Sequence, residues 1–283
     1  MSAGPFRVPA ERSPGTSLNR EQRVRFSFDG ESYEGFRGDS LASALLANGV
    51  RTISRSFKFH RPRGVYASGI EEPNAFVQTG TGATSVPSER APLVELSEGL
   101  QAESLSRRGF DPWRVLDFTA RLWAAGFYNR TFIWPSWHSY EGIIRRMAGF
   151  GQAPAGSDPD RYEGRNLHCD VLVIGGGEAG LEAAYEAARG GARVVLVEQG
   201  SELGGRSSWN GAAKPGQSSK EWAQRLANVQ ILTRTTAVGY YEQDVVALVE
   251  RVADAQKRPG VPRERYWIAR AKRVVIATGA IEQ

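Results

Sequence analysis

Three glycines and one acidic residue form the group in this sequence that could bind a nucleotide. Gly175, Gly177 and Gly180 satisfy the pattern G-x-G-x-x-G, and Glu198 follows on the order of 20 residues later. In this pattern the first glycine allows a tight turn, the second lets the backbone approach a pyrophosphate, and the third lets a helix pack against a strand. The Glu198 carboxylate would accept hydrogen bonds from an adenosine ribose, which favours an unphosphorylated 2′-hydroxyl and argues against NADP.

The elements around these residues are those that a dinucleotide site requires. Val171–Ile174 is short, apolar and rich in β-branched residues, which predicts a strand buried on both faces. Leu181, Ala184 and Ala188 recur at helical spacing after the glycines, and a second predicted strand, Arg193–Val197, leads directly to the acid. The first turn of the helix would direct its amide groups and its dipole at a phosphate.

Two further patterns of the same kind follow. Glu202-Leu203-Gly204-Gly205 places an acid before a glycine pair, which would let a second loop pass near the pyrophosphate, and Arg206 could pair with that group. A predicted strand at Arg273–Ala277 runs into Thr278-Gly279, an ending typical of flavoproteins with two dinucleotide domains. Between these patterns the sequence predicts a helix at Lys220–Ala227, a strand at Val229–Leu232, Ala237 and Val238 near the adenine, and a hairpin of Val245–Arg251 with Arg265–Ala269.

Length and composition are those of a globular protein with two domains. The chain has 283 residues, a net charge of +5 and 24% charged residues, with the basic residues mostly spread through it. A single cysteine excludes an intramolecular disulfide and any four-cysteine metal or iron–sulfur site. No stretch is long and apolar enough to span a membrane, and no hydrophobic signal region begins the sequence. We therefore expect a soluble, cytoplasmic protein that binds neither membrane nor nucleic acid.

The first part of the sequence predicts a small β-grasp domain at residues 22–106. It follows a predicted disordered leader, residues 1–21, that mixes Pro, Ser, Gly and Arg without periodicity. The elements predicted for the domain are a hairpin around Asp29-Gly30, a helix at Leu41–Asn48 capped by Asp39 or Ser40 and followed by Gly49, and strands around Ala75–Gln78 and Pro92–Leu96.

Two segments have compositions that suit docking. Arg51–Arg63 holds five Lys/Arg residues and His60 without an acid, and it is either a solvated basic face or a phosphate-binding or subunit-docking surface. Residues 107–160 are predicted to be an aromatic-rich helical linker, with one helix opening at Asp111-Pro112 and another around Tyr140–Met147. So many aromatic side chains predict burial against another domain or another chain.

Taken together, these features resemble the N-terminal part of the α subunit of heterotetrameric sarcosine oxidase, over residues of about 22 to 283. The similarity is most specific in four stretches, Gly38–Val50, Arg55–Gly64, Glu71–Ala75 and Ala125–Tyr128. The resemblance implies an α/β protein (α+β overall) in which a ferredoxin-like β-grasp domain precedes a Rossmann-like FAD/NAD(P)-binding domain. In the cluster-binding relatives the loop after the helix carries cysteines, whereas Arg63–Pro73 has none, so we expect no iron–sulfur cluster.

For function, the resemblance implies an NAD-holding portion of an enzyme that oxidatively demethylates sarcosine to glycine. Oxygen is reduced to hydrogen peroxide and the one-carbon unit can pass to tetrahydrofolate, with β, γ and δ-like subunits as partners. FAD and a covalent FMN belong mainly to the β subunit, with the FMN near the α–β boundary. Carried over by position, the NAD contacts would be Ala179, Glu198, Gln199, Gly200, Arg206 and Val238.

The sequence departs from the family in its extent. The family's α subunit continues far beyond this point, whereas this sequence stops four residues after Gly279, which predicts an incomplete nucleotide domain at 161–283. Exposed sheet edges in such a domain would favour association over a stable monomer. We expect no residue here to act on the amine, including Cys169, a predicted core residue, and the three histidines, His60, His138 and His168.

Two other functions remain open. A flavin-binding, electron-transferring subunit of a related opine, proline or cyanide-forming dehydrogenase would hold FAD instead of NAD. A docking scaffold with a vestigial nucleotide site would use the aromatic and basic segments to bind a partner. A flavin spectrum of the purified protein would favour the first, and copurification of a β-like subunit without nucleotide would favour the second.

Overall fold

The chain folds into two compact units, the first made of the residues up to Val8 and of Leu18–Pro159, the second of Pro9–Ser17 and the residues from Asp160 onward. The computed structural model describes residues 3–12, 18–56, 59–106, 114, 117–118, 131–151, 153–205, 219–253 and 260–280. Each unit has a hydrophobic core of its own, because one buried cluster lies in the first unit and two lie in the second.

The first unit is built on a mixed β-sheet. Its elements are β1 (Asn19–Phe28), β2 (Glu31–Arg37), α1 (Leu41–Ala47), β3 (Ser54–Arg55), β4 (Pro62–Arg63), β5 (Phe76–Thr79), β6 (Val86–Arg90), β7 (Leu100–Ser104) and α2 (His138–Ala148), with 3-10 turns at Gly82–Thr84 and Ala91–Leu93. Five strands form one sheet in the order β2-β1-β7-β5-β6, while β3 and β4 pair separately. Only the β1–β7 pair is parallel in the larger sheet. This topology agrees with the predicted β-grasp fold.

The hairpin and the first helix form from local sequence signals, as predicted. Asp29 (φ 52°) and Gly30 (φ 82°) both lie in the left-handed region, which a two-residue type I′ turn requires. Ser40 caps α1 because its hydroxyl accepts the N–H of Ser43, and the Ser43 hydroxyl accepts the N–H of Ser40 in return. The apolar face of α1 packs into the core of the sheet.

Residues 3–8 are folded against the first unit, which differs from the predicted disordered leader. Arg7 donates to both oxygens of the Asp39 carboxylate at 2.8 Å, and the Asp39 side chain is 0% exposed. The N–H of Phe6 donates to the carbonyl of Ala47 at 2.9 Å. β1 also begins at Asn19, inside the predicted leader. Composition did not predict this folded segment, because the segment is held by the ion pair between Arg7 and Asp39, and Asp39 lies far along the chain.

The predicted strand at Pro92–Leu96 is wrong. The chain forms a 3-10 turn at Ala91–Leu93, and beyond it only an isolated bridge joins Glu95 to Ser40. Pro92 has no N–H to give to a strand ladder, so the segment cannot continue a sheet there. The strands that complete the sheet are β6, on its edge, and β7, between β1 and β5.

The linker helix α2 confirms the predicted helix around Tyr140–Met147. Among the described aromatic side chains that precede it, Trp134 is 83% exposed and Trp137 is 43% exposed. The first unit therefore does not provide the burial predicted for these side chains. The helix predicted to open at Asp111-Pro112 lies outside the described residues.

The second unit contains a sheet that is parallel in one half and antiparallel in the other. Its elements are β8 (Tyr162–Ile174), α3 (Glu178–Arg189), β9 (Val194–Val197), α4 (Ser219–Arg225), β10 (Gln230–Leu232), β11 (Thr235–Tyr241), β12 (Val245–Arg251) and β13 (Glu264–Ile276), with 3-10 turns at Ala10–Arg12 and Glu242–Asp244. The strand order is β10-β9-β8-β13-β12-β11. The first four strands in that order run parallel, and β12 and β11 continue the sheet in antiparallel fashion.

The parallel half forms because β9 is buried along its whole length and α3 covers one face of the sheet. Leu181 and Ala184 of α3 are 0% exposed and pack with Trp222 and Leu226 of the α4 region. This confirms the predicted Rossmann-like arrangement of strand, helix and strand. Two details differ from the predicted elements. The strands predicted at 265–269 and 273–277 are one continuous strand, β13, and residues 237–238 lie within β11.

Candidate dinucleotide-binding site

Three loops meet where β8, β9 and β13 end. Because these strands are parallel neighbours, their carboxyl ends lie at one edge of the sheet, the usual position of a ligand site in α/β folds. The N–H of Gly204, in the loop after β9, donates to the carbonyl of Gly176, in the loop after β8, at 2.8 Å. A Cβ added at Gly175 would lie 2.4 Å from the carbonyl oxygen of Ala277, at the end of β13.

The three predicted glycines have different surroundings. Gly175 adopts φ +109°, a conformation that L side chains rarely adopt, at the turn out of β8. A Cβ at Gly180 would lie 1.9 Å from the carbonyl oxygen of Gly175, so only glycine allows α3 to approach the strand this closely. A Cβ at Gly177 would meet nothing within 4 Å, and its side faces open space. That space is where the fingerprint directs a pyrophosphate.

The amino end of α3 faces this same loop. Gly177 is the N-cap and no side chain caps the helix there, while Glu178 and Ala179 are exposed. A helix leaves the N–H groups of its first turn without acceptors within the helix, and they carry the positive end of its dipole. Ala179, which is predicted to lie in the phosphate turn, is therefore exposed beside the open side of Gly177.

Glu198 is held in place by the two loops on either side of it. One carboxylate oxygen accepts the N–H of Gly176 at 2.7 Å, and the other accepts the N–H of Gly200 at 2.6 Å. The Glu198 backbone is also paired, since its N–H donates to Leu232 at 2.9 Å and its carbonyl accepts from Thr235 at 2.8 Å. A carboxylate offers about four lone-pair positions, so two hydrogen bonds leave acceptor capacity for two ribose hydroxyls.

The glycine pair after Glu198 brings the second loop against the first. Gly204 forms a parallel bridge with Gly177, and a Cβ at Gly205 would lie 3.0 Å from the Gly177 Cα. Leu203 is 3% exposed and anchors this loop in the core. The acid and the glycine pair predicted this approach, whereas no motif assigned Gly176 to the site. Its N–H orients Glu198, and no pattern in the sequence marks that hydrogen bond.

The remaining predicted contacts lie in three places: the loop after β9, the strand β11, and the residues after β13. Gln199 accepts a hydrogen bond from Arg251 through its carbonyl at 3.3 Å, and Gly200 accepts one from the N–H of Arg234 at 2.8 Å. Val238 lies at an irregularity of β11 and is 57% exposed. Thr278 and Gly279 follow β13 and are exposed, with Gly279 at φ +76°. Arg206 lies outside the described residues.

The other reactive side chains of the second unit serve its structure. Cys169 is 3% exposed, and burial raises the pKa of its thiol to about 11, so the reactive thiolate is disfavoured. Hydrogen bonds from Arg193 and Lys272 hold the pKa of Asp170 well below its usual range. His60, in the first unit, is 3% exposed. Within the described part of the chain, no group of three or more His, Cys, Asp or Glu side chains is arranged to hold a metal ion.

Comparison with known families places both units in an oxidoreductase context. The profile of a family described as "2Fe-2S iron-sulfur cluster binding domain" matches residues 21–107, and that of "FAD dependent oxidoreductase" matches residues 170–265. The structure of L-proline dehydrogenase from P. horikoshii superimposes with a TM-score of 0.53 at 22% identity, covering 96% of this chain and 43% of that one. The fold is thus that of a ferredoxin-like domain followed by a FAD-dependent oxidoreductase domain.

Two sequence relatives each match more than nine tenths of this chain. Sarcosine oxidase subunit alpha of Rhizobium meliloti is 44% identical over 281 residues, which are 94% of this chain and 28% of that protein. The subunit of the same name from Corynebacterium sp. (strain P-1) is 35% identical over 289 residues, which are 98% of this chain and 26% of that protein. The chain is a homologue of the N-terminal portion of sarcosine oxidase subunit alpha, and it spans about a quarter of the length of these relatives.

The helices give no indication of membrane insertion. Among the residues that the structure describes, none of the helices has both the length and the apolar character needed to cross a bilayer.

Proposed function

We propose that this chain is the NAD-holding portion of a sarcosine-oxidase-type complex. The observation that carries the proposal is the position of Glu198, whose carboxylate is oriented by the N–H groups of Gly176 and Gly200 beside the open side of Gly177. Adenosine diphosphate offers two groups to such a site. The carboxylate would bind the ribose hydroxyls, and the amino end of the helix would bind the pyrophosphate.

The charge of the site favours NAD over NADP. A phosphate on the ribose 2′-oxygen would lie against the Glu198 carboxylate, and two anions in contact repel each other. FAD shares the adenosine diphosphate half of NAD, so the residues described above fit both molecules. We propose NAD rather than FAD because the family resemblance assigns the flavins mainly to a β subunit.

In this proposal the chain binds and orients a nucleotide, and amine oxidation takes place in a partner. Its residues supply backbone N–H groups to the phosphates and a carboxylate to the ribose. In the family that this chain resembles NAD is held without obvious turnover, so the bound nucleotide would not be the oxidant of the amine. Sarcosine would be oxidatively demethylated to glycine with production of hydrogen peroxide, and the one-carbon unit would pass to tetrahydrofolate. The partners would be β, γ and δ-like subunits in the cytoplasm, with FMN near the boundary to the β subunit.

Isothermal titration with NAD, FAD and NADP tests this assignment. We expect NAD to bind, NADP to bind more weakly, and Glu198→Gln to weaken NAD binding by roughly 10- to 100-fold through loss of charge-assisted hydrogen bonds. Glu182→Gln is the matched control, because Glu182 is 53% exposed on α3 and 3.7 Å from its partner Arg225. Tight binding of FAD with no heat from NAD would contradict the assignment.

A second candidate is a flavin-binding, electron-transferring subunit. The match of residues 170–265 to a FAD-dependent family favours this alternative. A purified chain that is yellow, with flavin absorbance that Glu198→Gln diminishes, would select it. Copurification of a β-like subunit with neither nucleotide bound would instead select a docking scaffold.

A further inference from the structure

The first unit matches a family of iron–sulfur domains but lacks the side chains that hold such a cluster. A [2Fe–2S] centre is held by cysteine thiolates, or by histidines in place of two of them. The only cysteine of the chain is Cys169, and the match covers residues 21–107. The segment from Arg63 to Pro73 contains neither cysteine nor histidine. The residues present therefore do not fit the cluster.

The interior of this loop holds a carboxylate instead. Glu72 is 0% exposed, although the residue before it, Glu71, is exposed. One oxygen of the Glu72 carboxylate accepts the N–H groups of Tyr66 and Ala67, at 2.6 and 2.7 Å. The other accepts the N–H groups of Asn74 and Ala75, at 2.7 and 3.0 Å.

These four donors form two pairs of successive backbone amides. Successive N–H groups that point to one place form a concave anion site, of the kind that holds phosphates and many iron–sulfur clusters. Cluster domains direct backbone amides at the sulfur atoms of an anionic centre. In this loop the same type of donor points at a carboxylate that the chain itself provides.

The pKa of the Glu72 carboxyl also favours an anion inside this loop. Burial alone would raise the pKa of this carboxyl, but the hydrogen bonds from the backbone N–H groups of Ala67, Asn74, Tyr66 and Ala75 outweigh it and hold the pKa below its ordinary value. Arg90, a nearby cation, donates to the Glu72 carbonyl oxygen at 3.1 Å. Among the described residues, the groups that donate to this carboxylate are all backbone amides.

We propose that the Glu72 carboxylate is an internal anion that takes the place of an iron–sulfur cluster in organising this loop. The two amide pairs, brought together by Glu72, keep residues 66–75 in one fixed conformation. The domain thereby retains its fold as a rigid, redox-inactive module that takes up no cluster. The inference is independent of the nucleotide site in the second unit.

Rescue by an external anion tests this role directly. Glu72→Ala in the full 283-residue chain removes the carboxylate and leaves a small space lined by the four amides. We expect the melting temperature of the first unit to fall on the order of 10 °C, and formate to restore part of the loss. Formamide at the same concentration is uncharged and should restore none of it. Glu71→Ala, on the exposed neighbour, should change neither the melting temperature nor the response to formate.

Equal effects of formate and formamide on Glu72→Ala would overturn the proposal, as would a melting temperature equal to that of Glu71→Ala. If Glu72→Ala yields no folded protein, the wild-type chain provides the test through hydrogen exchange of its amides. The amides of Tyr66, Ala67, Asn74 and Ala75 should exchange slowly, and Glu72→Gln should speed their exchange at least tenfold relative to Glu71→Gln. Fast exchange of these four amides in the wild type would reject the role of Glu72.

Anaerobic incubation of the wild-type chain with ferric iron, sulfide and thiol, followed by reduction with dithionite before electron paramagnetic resonance, provides a separate measurement. We expect no absorbance and no electron paramagnetic resonance signal of a [2Fe–2S] centre. A stoichiometric cluster in the first unit would contradict the proposal whatever the result of the rescue experiment.

Discussion

Gly177 is the N-cap of α3 and Gly180 lies three residues later in the helix, but a methyl group added at each would meet different surroundings. At Gly180 it would lie 1.9 Å from a backbone carbonyl oxygen, and at Gly177 it would meet nothing within 4 Å. The backbone of Gly177 is extended, with φ −75° and ψ 177°, which alanine adopts without strain. One glycine is therefore required by packing, and the other keeps space for a ligand.

We expect Gly180→Ala to lower the free energy of unfolding of the second unit by about 2–3 kcal/mol, because α3 must move away from β8. Gly177→Ala should cost less than about 1 kcal/mol, the difference between the two residues at an N-cap. Its methyl group should nevertheless weaken NAD binding by at least about tenfold, equivalent to 1.4 kcal/mol, because it occupies the space of a phosphate. Thermal unfolding and isothermal titration on both variants separate these effects. Unchanged NAD affinity in a folded Gly177→Ala variant would place the phosphates elsewhere.

The residue scale also shows the limit of the sequence pattern in this site. The meeting of the glycines and Glu198 at one edge of the sheet could be predicted because it depends on backbone freedom and on a fixed spacing along the chain. The hydrogen bond from Gly176 to Glu198 could not, because it depends on how two loops meet in space. Arg206, Val238 and the other contacts carried over from the family stay predictions.

At the scale of elements, the N-terminal segment and α1 form a connected unit. The guanidinium of Arg7 bonds the Asp39 carboxylate, which also accepts the N–H of Phe36 at 2.8 Å and the hydroxyl of Ser43 at 2.6 Å. The side chains of Arg7 and Asp39 are 6% and 0% exposed. Removing one charge of a buried pair leaves the other without compensation.

We therefore expect Arg7→Met to lower the free energy of unfolding of the first unit by about 3 kcal/mol. Arg23→Met is the control. Arg23 lies 2.9 Å from the Glu34 carboxylate, and the two side chains are 44% and 39% exposed. Exposed ion pairs of this kind contribute less than about 1 kcal/mol to stability. Urea denaturation followed by circular dichroism measures both. Equal losses in the two variants would show that residues 3–8 contribute little to the stability of α1.

Elements marked by local sequence were predictable, and elements that depend on distant partners were not. The Asp29-Gly30 turn and the cap at Ser40 require only neighbouring residues. β6 contains Pro87, which reduces its strand signal, and it forms because it lies on the edge of the sheet beside β5. The folded segment at residues 3–8 depends on Asp39, more than 30 positions away.

At the scale of the whole molecule, each unit encloses its own core, and the single thiol of the chain lies in the second. Cys169 of β8 is paired in register with Ala271 of β13, within one of the two buried clusters of that unit. Burial raises the pKa of the thiol to about 11 from an ordinary value of 9.0. Cys169 is therefore a natural reporter of opening of the second unit.

We expect iodoacetamide to label Cys169 at pH 8 no faster than the second unit unfolds, and to label it at once in denaturant. Because the folded pKa is raised to about 11, the thiolate should form in the folded protein only as the pH approaches that value, whereas the unfolded thiol, with an ordinary pKa of 9.0, is already ionised enough to react at pH 8. Mass spectrometry at fixed times follows the reaction. Rapid stoichiometric labelling of the folded chain at pH 8 would contradict the assignment of Cys169 to the core.

The length of β13 has a consequence for how this chain can change in evolution. Its pairing with β8 runs from Glu264 to Ile276 and sets the point at which Ala277 passes beneath Gly175. One residue inserted into β13 would advance that point by about 3.3 Å and turn Trp267 and Ala269 toward the opposite face. Natural variants should therefore keep the number of residues in β13 unchanged.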